Sequence, residues 1–140
     1  MKRCVFIGHR NYAGEDADIQ QMIRYLMSCG VSEFYSGGMG NFDKICEKTV
    51  KALGGTLIFV PYNKKSIKAF HKFYYEKIEN IFGNKAYEPA DIPSRNQWMV
   101  DRCDICLCYV GQNGGAMNTL RYAVENGKPI INLFYKNESP

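Results

Sequence analysis

Short apolar segments alternate along the chain with segments whose apolar residues recur at helical spacing. The apolar segments span residues 4–7, 33–36, 56–60, 104–110 and 129–134. Between them, residues such as Ile19, Ile23 and Leu26 recur three and four positions apart. A helix between two strands returns the chain for parallel pairing. The alternation therefore predicts an α/β fold, a three-layer Rossmann-like sandwich around a parallel sheet of about five strands.

The helical segments are bounded by residues that suit helix ends. Predicted helices run from about residue 15 to 30, 42–53, 64–82, 93–102 and 116–126. Pro93 suits a first helical turn, while Gly30 and Gly127 suit helix ends. A polar tail is expected to follow the last strand. No linker or repeat interrupts the pattern, so residues 1–140 are expected to form a single domain.

Composition favours a globular protein outside the membrane. Hydrophobic residues make up 46% of the chain and charged residues 23%. No apolar run approaches the ~20 residues that cross a bilayer, and the first apolar segment is too short for a signal peptide. We therefore expect cytoplasmic localisation and no membrane partner.

The six cysteines predict buried thiols rather than a metal centre. Cys106 and Cys108 share one face of an apolar segment. Cys103 and Cys106 have a CxxC spacing that zinc sites also use, but the chain has only two histidines and no second CxxC. We expect free thiols in a reducing compartment, with no metal and no cofactor.

Three strand ends lead into glycine turns, at residues 8–10, 37–40 and 111–115. Such turns lie along one edge of a parallel sheet, and the helix that follows each offers unpaired N–H groups to an anion. A net charge of +4 suits an anionic small ligand. Neither a Walker A loop nor GxGxxG is present. The alternative interpretation is that the turns serve only chain geometry, since α/β loops use glycine freely.

The polar residues near these turns are candidates for ligand contact. The predicted ligand-binding residues are Gly8, His9, Arg10, Ser36, Gly37, Gly38, Gly40, Asp43, Arg95, Asn96, Gly114, Gly115, Asn118 and Thr119. Asn41 is a further polar candidate. Asp43 either complements the dipole of its helix or accepts hydrogen bonds from ribose hydroxyls or Arg10. His9 is either a packing residue or a catalyst.

The chain contains four motifs: FIGHR at 6–10, YSGGMGNFD at 35–43, RNQWMVD at 95–101 and GGAMNT at 114–119. In this order and spacing they resemble the SLOG superfamily, which joins the DNA processing protein A and Lonely Guy families. Within the superfamily the sequence is most similar to small YpsA-like proteins. The resemblance covers nearly the whole chain. It implies a Rossmann-like fold that binds nucleotides or nucleotide-derived ligands, often as a homodimer.

Lonely Guy enzymes cleave the N-glycosidic bond of a nucleotide with an arginine and with the glutamate of a PGGxGTxxE motif. Arg95 and Met99 are similar to their RKxxM segment. The second motif departs from the pattern, because the position of the glutamate is taken by Tyr122. If the chain is an enzyme, the resemblance implies a nucleotide N-glycosidase (phosphoribohydrolase), with Arg95 and Asp43 as catalytic candidates. Glu47 and Asp101 are alternative carboxylates.

Three functions are therefore open. The first is binding of a nucleotide-derived small molecule in a sensor or carrier role, and the second is the N-glycosidase. The third is single-stranded DNA binding by a basic and aromatic surface, which is favoured less because a lysine-rich face is usually only solvated. Its residues are Lys64, Lys65, Lys68, Lys72, Tyr74 and Tyr75. The aromatic residues of 64–82 also predict a homodimer interface: Phe70, Phe73, Tyr74, Tyr75 and Phe82.

Overall fold

A parallel sheet runs through the computed structural model, which describes residues 2–135. Its strands are β1 (Lys2–Gly8), β2 (Val31–Ser36), β3 (Thr56–Phe59), β4 (Lys77–Ile78), β5 (Ile105–Tyr109) and β6 (Ile130–Asn132). The spatial order is β4-β3-β2-β1-β5-β6, and every neighbouring pair is parallel. The α/β fold is confirmed, with six strands in the described part rather than about five.

Helices cover both faces of the sheet. They are α1 (Asp16–Ser28), α2 (Gly40–Ala52), α3 (His71–Tyr74), α4 (Ile92–Arg102) and α5 (Gly115–Glu125). Because side chains alternate along a strand, Cys4 and Phe6 of β1 pack with α1 and α2, whereas Val5 and Ile7 pack with α4 and α5. The predicted three-layer arrangement follows from this alternation.

The prediction of a helix over residues 64–82 is wrong. The chain forms a 3-10 turn at Lys64–Ser66, the short helix α3, and then strand β4. Lys77 and Ile78 pair with Ile58 and Phe59 of β3. Backbone pairing at the sheet edge outweighs the helical periodicity of the apolar residues here, because propensity is a weak preference that tertiary contacts override.

The start of α4 is explained by its capping residue and its proline. The side chain of Asp91 accepts a hydrogen bond of 2.8 Å from the backbone N–H of Ser94, and Pro93 lies in the first turn of α4. No helix within residues 2–135 combines the length and apolar character required to cross a bilayer. The predicted polar tail falls largely in residues 136–140, outside the described residues.

The cysteines are free thiols, and only Cys29 is exposed. The buried ones are Cys4, Cys46, Cys103, Cys106 and Cys108. Burial raises the pKa of Cys106 to about 12, so this thiol stays protonated at neutral pH. Within residues 2–135, no three histidine, cysteine or acidic side chains come together in a manner that would hold a metal ion.

Candidate ligand-binding site

A cleft of about 300 Å³ opens at the carboxyl ends of the central strands. It lies near the boundary between β1 and β5, where the connection after β1 leads to β2 on one side and the connection after β5 leads to β6 on the other. This is the position at which open α/β sheets bind ligands. Nine of the predicted ligand-binding residues line it: Gly8, His9, Arg10, Gly37, Asp43, Arg95, Asn96, Gly115 and Thr119. The turns after β1 and β2 and the start of α5 therefore converge, as the sequence predicted.

The remaining predicted residues do not line the cleft. They are Ser36, Gly38, Gly40, Gly114 and Asn118, and the further candidate Asn41 is also outside it. Gly38 and Gly40 have φ values of 67° and 88°, a region that favours glycine. A Cβ on Gly40 would lie 2.6 Å from Cα of Arg10, and the Asn41 N–H donates to the Arg10 carbonyl at 2.8 Å. Gly38 and Gly40 therefore shape the turn after β2, and Gly40 and Asn41 join it to the turn after β1.

Arg95 of α4 is the most deeply buried charged group at the cleft, with 2% of the residue exposed. Its Nη1 donates to the carbonyls of Val60 at 2.8 Å and Gly37 at 3.3 Å, and its Nε donates to Oδ1 of Asn96 at 2.9 Å. Residues 2–135 contain three ion pairs, none of which includes Arg95. Burial lowers the pKa of Arg95 from its ordinary value, and the charge of Asp43 opposes this. An anionic ligand would stabilise this buried positive charge.

Asp43 lies in the first turn of α2 and is 7% exposed. Its Oδ2 accepts a hydrogen bond of 3.1 Å from the Met39 N–H. Burial raises the pKa of Asp43 to about 7, and the charge of Glu47 adds to this effect, while the Met39 N–H and the Arg95 charge oppose it. Near neutral pH this carboxyl is therefore poised to exchange a proton.

His9 holds the loop that follows β5. Its Nε2 accepts hydrogen bonds from the N–H groups of Gly111 at 2.9 Å and Gln112 at 3.2 Å. A nitrogen that accepts two N–H bonds carries no proton, so the proton of the neutral ring lies on Nδ1. The ring also packs edge-on against Tyr109. The structure thus gives His9 a packing role at the wall of the cleft and leaves Nδ1–H as a donor.

A chain of hydrogen bonds joins α4 to α5 next to the cleft. Nδ2 of Asn96 donates to Oγ1 of Thr119 at 3.1 Å, and the Thr119 hydroxyl donates to the Gly115 carbonyl at 3.0 Å. Because Asn96 also accepts from Arg95, the guanidinium is fixed relative to the N-terminus of α5.

Ser36 and Glu47 form a buried network behind the β2 turn. The hydroxyls of Ser36 and Tyr75 both donate to Oε2 of Glu47, at 2.6 and 2.7 Å. Ser36 Oγ accepts the Gly38 N–H at 3.0 Å. Burial raises the pKa of Glu47, although both hydroxyl bonds act in the other direction. Glu47 supports the turn but does not line the cleft.

Asp101 and Tyr122 bind each other outside the cleft. The hydroxyl of Tyr122 donates to Oδ1 of Asp101 at 2.7 Å, and the hydroxyl of Tyr87 donates to Oδ2 at 2.6 Å. Of the three carboxylates considered from the sequence, only Asp43 therefore reaches the cleft.

Six further lining residues, all apolar, were not predicted from the sequence: Phe6, Ile7, Met39, Ile92, Met99 and Ala116. Met39 and Met99 stand inside the quoted motifs, so their position next to the glycine turn and Arg95 was the available signal. Ile92 carries no such signal, because the sequence does not distinguish an apolar residue that lines a cleft from one that packs in the core.

The structure is similar to several solved structures with little sequence identity, among them the following three. DNA processing protein A from Helicobacter pylori has a TM-score of 0.71 and 17% identity, over 92% of this chain and 63% of that protein. The molybdenum cofactor binding protein from Rippkaea orientalis has a TM-score of 0.66 and 15% identity, over 94% of this chain and 75% of the other. The molybdenum cofactor carrier protein from Chlamydomonas reinhardtii has a TM-score of 0.65 and 14% identity, over 92% and 74% of the two chains.

This chain spans less than two thirds of the Helicobacter pylori protein. No protein-family model and no curated protein sequence matches it. At such low identities the likeness defines the fold alone. The Rossmann-like α/β fold expected from the sequence is confirmed: the chain shares this fold with DNA processing protein A and with the molybdenum cofactor binding and carrier proteins.

Proposed function

We propose that the chain binds a phosphate-bearing, nucleotide-derived small molecule in this cleft and acts as a sensor or carrier. The observation that carries the proposal is the guanidinium of Arg95, which is 2% exposed and has only uncharged hydrogen-bond partners in the described chain. A buried charge is costly unless it is compensated, and a phosphate at the cleft would compensate it.

The N-terminus of α5 supports an anion at the same place. Gly115 and Ala116 line the cleft, and no side chain of the described residues caps this end of the helix. The first N–H groups of a helix have no partner within it and carry the positive end of its dipole. Gly114, with φ 146°, brings the backbone into this position without a side chain in the way.

The size of the cleft and the similar proteins are consistent with a small ligand. A volume of about 300 Å³ lies at the lower end of the range for small-molecule sites. The Rippkaea orientalis protein binds the molybdenum cofactor, and the Chlamydomonas reinhardtii protein carries it. These two proteins favour a carrier role for this chain without indicating its ligand.

An N-glycosidase is the second candidate, because Asp43 lines the cleft and its pKa is raised to about 7 by burial. Such a carboxyl suits general acid or base catalysis. Glycoside hydrolysis ordinarily uses two carboxylates that flank the bond. Glu47 and Asp101 are both engaged elsewhere, which is why we place binding ahead of catalysis.

Single-stranded DNA binding is the third candidate, and the Helicobacter pylori protein binds single-stranded DNA. Phe70 and Phe73 are 58% and 88% exposed and are flanked by exposed lysines. The same aromatic residues support a homodimer as an alternative use of this surface.

The free buried thiols are consistent with a reducing compartment, and we propose a cytoplasmic protein.

The experiment that tests this function is native mass spectrometry of the purified protein, followed by calorimetry with nucleoside 5′-monophosphates. We expect a bound phosphate-bearing compound that leaves intact on denaturation. Chromatography of each mixture for free base separates the candidates, because a glycosidase releases base and a carrier does not. Absence of binding to every phosphate-bearing compound tested would overturn the proposal.

A further inference from the structure

The cleft has charges of both signs. The side chains of Arg95 and Arg10 and the N-terminus of α5 are positive, whereas Asp43 is the one acidic residue among the described residues that line the cleft. A phosphate is attracted to the first group and repelled by an ionised carboxylate. The part of the ligand that lies against Asp43 is therefore a hydrogen-bond donor rather than a second phosphate.

One oxygen of Asp43 is available for such a donor. Oδ2 is taken by the Met39 N–H at 3.1 Å, and no donor among residues 2–135 reaches Oδ1. The described part of the chain has no fully buried side-chain oxygen or nitrogen without a hydrogen-bond partner, so Oδ1 keeps some exposed surface, and Asp43 lines the cleft. A ligand that fills the cleft would bury this oxygen. Because buried polar groups are nearly always hydrogen-bonded, a donor of the ligand is expected at this atom.

We propose that Asp43 accepts a hydrogen bond from a ribose hydroxyl and that the cleft thereby selects ribonucleotides over deoxyribonucleotides. This inference rests on the proposed function. Arg95 and Asp43 both line the cleft and both contact Met39: Nη2 of Arg95 donates to Sδ of Met39 at 3.3 Å, and the Met39 N–H donates to Oδ2 of Asp43 at 3.1 Å. A phosphate held at Arg95 therefore leaves the adjoining part of the ligand near Asp43. In a nucleoside 5′-monophosphate the part that adjoins the phosphate is the ribose, and its hydroxyls are donors.

The apolar lining residues leave a place for the base. Ile92 and Met99 of α4 line the cleft without a polar group to read a base edge. Selection in the cleft is accordingly stronger for the sugar than for the base, since an unpaired buried acceptor costs more than a changed apolar contact.

The test is calorimetry with four ribonucleoside 5′-monophosphates and their 2′-deoxy and 3′-deoxy counterparts. Loss of one charge-assisted hydrogen bond corresponds to about 10- to 150-fold weaker binding, so we expect at least one deoxy series to bind ~10-fold more weakly. The Asp43→Ala variant should bind ribonucleotides and both deoxy forms with nearly equal affinity. Asp16→Ala is the matched control, because Asp16 is an exposed acidic residue in the first turn of α1, away from the cleft.

Asp43→Asn provides a second variant if the alanine variant does not fold. Its amide oxygen can still accept the Met39 N–H, which leaves an NH₂ group rather than an acceptor at the cleft. We expect a reduced preference for ribose in this variant.

Equal affinity of the wild-type protein for ribose and both deoxy forms would overturn the inference and leave the proposed function standing. A ribose preference that survives in Asp43→Ala would remove Asp43 from the contact. Failure of every nucleotide to bind would contradict the proposed function itself, and the inference with it.

Discussion

Burial displaces the pKa values of the two charged side chains at the base of the cleft. It lowers the pKa of Arg95 and raises the pKa of Asp43 to about 7, and each charge partly offsets the effect of burial on the other. No ion pair within 4.0 Å joins them in the described chain, because Arg95 is held by backbone carbonyls and Asp43 by a backbone N–H. The two groups are therefore not paired with each other, and the guanidinium of Arg95 and the carboxyl of Asp43 both remain available to a ligand.

Asp43→Asn should make folding stability less dependent on pH. The folded-state pKa of about 7 lies above the ordinary value of 3.8, so the native state holds this proton more tightly than the unfolded chain. The resulting stabilisation is full below about pH 4 and is lost as pH rises through about 7. A shift of this size corresponds to a free-energy change on the order of 4 kcal/mol.

Urea unfolding of both proteins between about pH 4 and pH 8 measures this difference. We expect the asparagine variant to be the more stable of the two at the upper end of the range, with little difference at the lower end. Glu47, whose pKa is also raised, is present in both proteins and cancels in the comparison. Parallel stability curves would show that Asp43 titrates normally.

Gly37→Ala should displace Arg95. A Cβ on Gly37 would lie 2.7 Å from both Cζ and Nη1 of the guanidinium, which would have to leave the carbonyls of Gly37 and Val60. Overpacking of this kind typically costs about 1–3 kcal/mol. Chemical unfolding measures the loss, and Gly115→Ala is the control because nothing lies within 4 Å of its added Cβ. Equal stability of the two variants would contradict the packing of Arg95 against Gly37.

Single residues of the site were predictable where they carry polar chemistry or follow a glycine turn. Gly8, Asp43 and Arg95 belong to this group, and all three line the cleft. Ser36 was predicted to contact the ligand, but it is buried and its hydroxyl donates to Glu47. The sequence does not show which neighbour accepts the hydrogen bond of a hydroxyl group.

At the scale of elements, the segment between β3 and α4 differs most from its prediction. Ile67, Phe70, Tyr74, Ile78 and Ile81 have helical spacing, yet α3, with four residues, is the only α-helix that the structure describes in this segment. Contacts far along the chain decide the outcome. The Glu76 carboxylate accepts the Leu57 N–H at 2.8 Å, and the Tyr75 hydroxyl bonds to Glu47 at 2.7 Å. Strands β1 and β5, by contrast, follow from short apolar runs that end at turns.

Phe73→Ser should leave folding intact and change assembly. The Phe73 side chain is 88% exposed, so its replacement should alter the free energy of unfolding by no more than about 0.5 kcal/mol. If this segment forms the proposed homodimer interface, light scattering should show a dimer for the wild-type protein and a monomer for the variant. Val124→Ser, at an exposed apolar residue of α5, should remain a dimer. A monomeric wild-type protein, or a variant that stays dimeric, would contradict the proposed interface.

At the scale of the whole molecule, strand order creates the site. Because β1 lies at the centre, with β2 on one side and β5 on the other, three turns from distant parts of the sequence meet in one cleft. Parallel pairing made this edge predictable, since all strands end on the same side. Strand β4, which the sequence did not predict, has only two residues, and these are too few to give a periodic signal.

Calorimetry of phosphate binding by Arg95 variants tests the central claim most directly. Lysine keeps the charge but cannot reproduce a forked contact with phosphate, and loss of such a contact corresponds to about 10- to 150-fold weaker binding. We expect Arg95→Lys to weaken nucleoside 5′-monophosphate binding by about this factor. Arg102→Lys, an exposed arginine at the end of the same helix, should bind like the wild-type protein. Equal affinity of the wild-type protein and Arg95→Lys would contradict a phosphate site at Arg95.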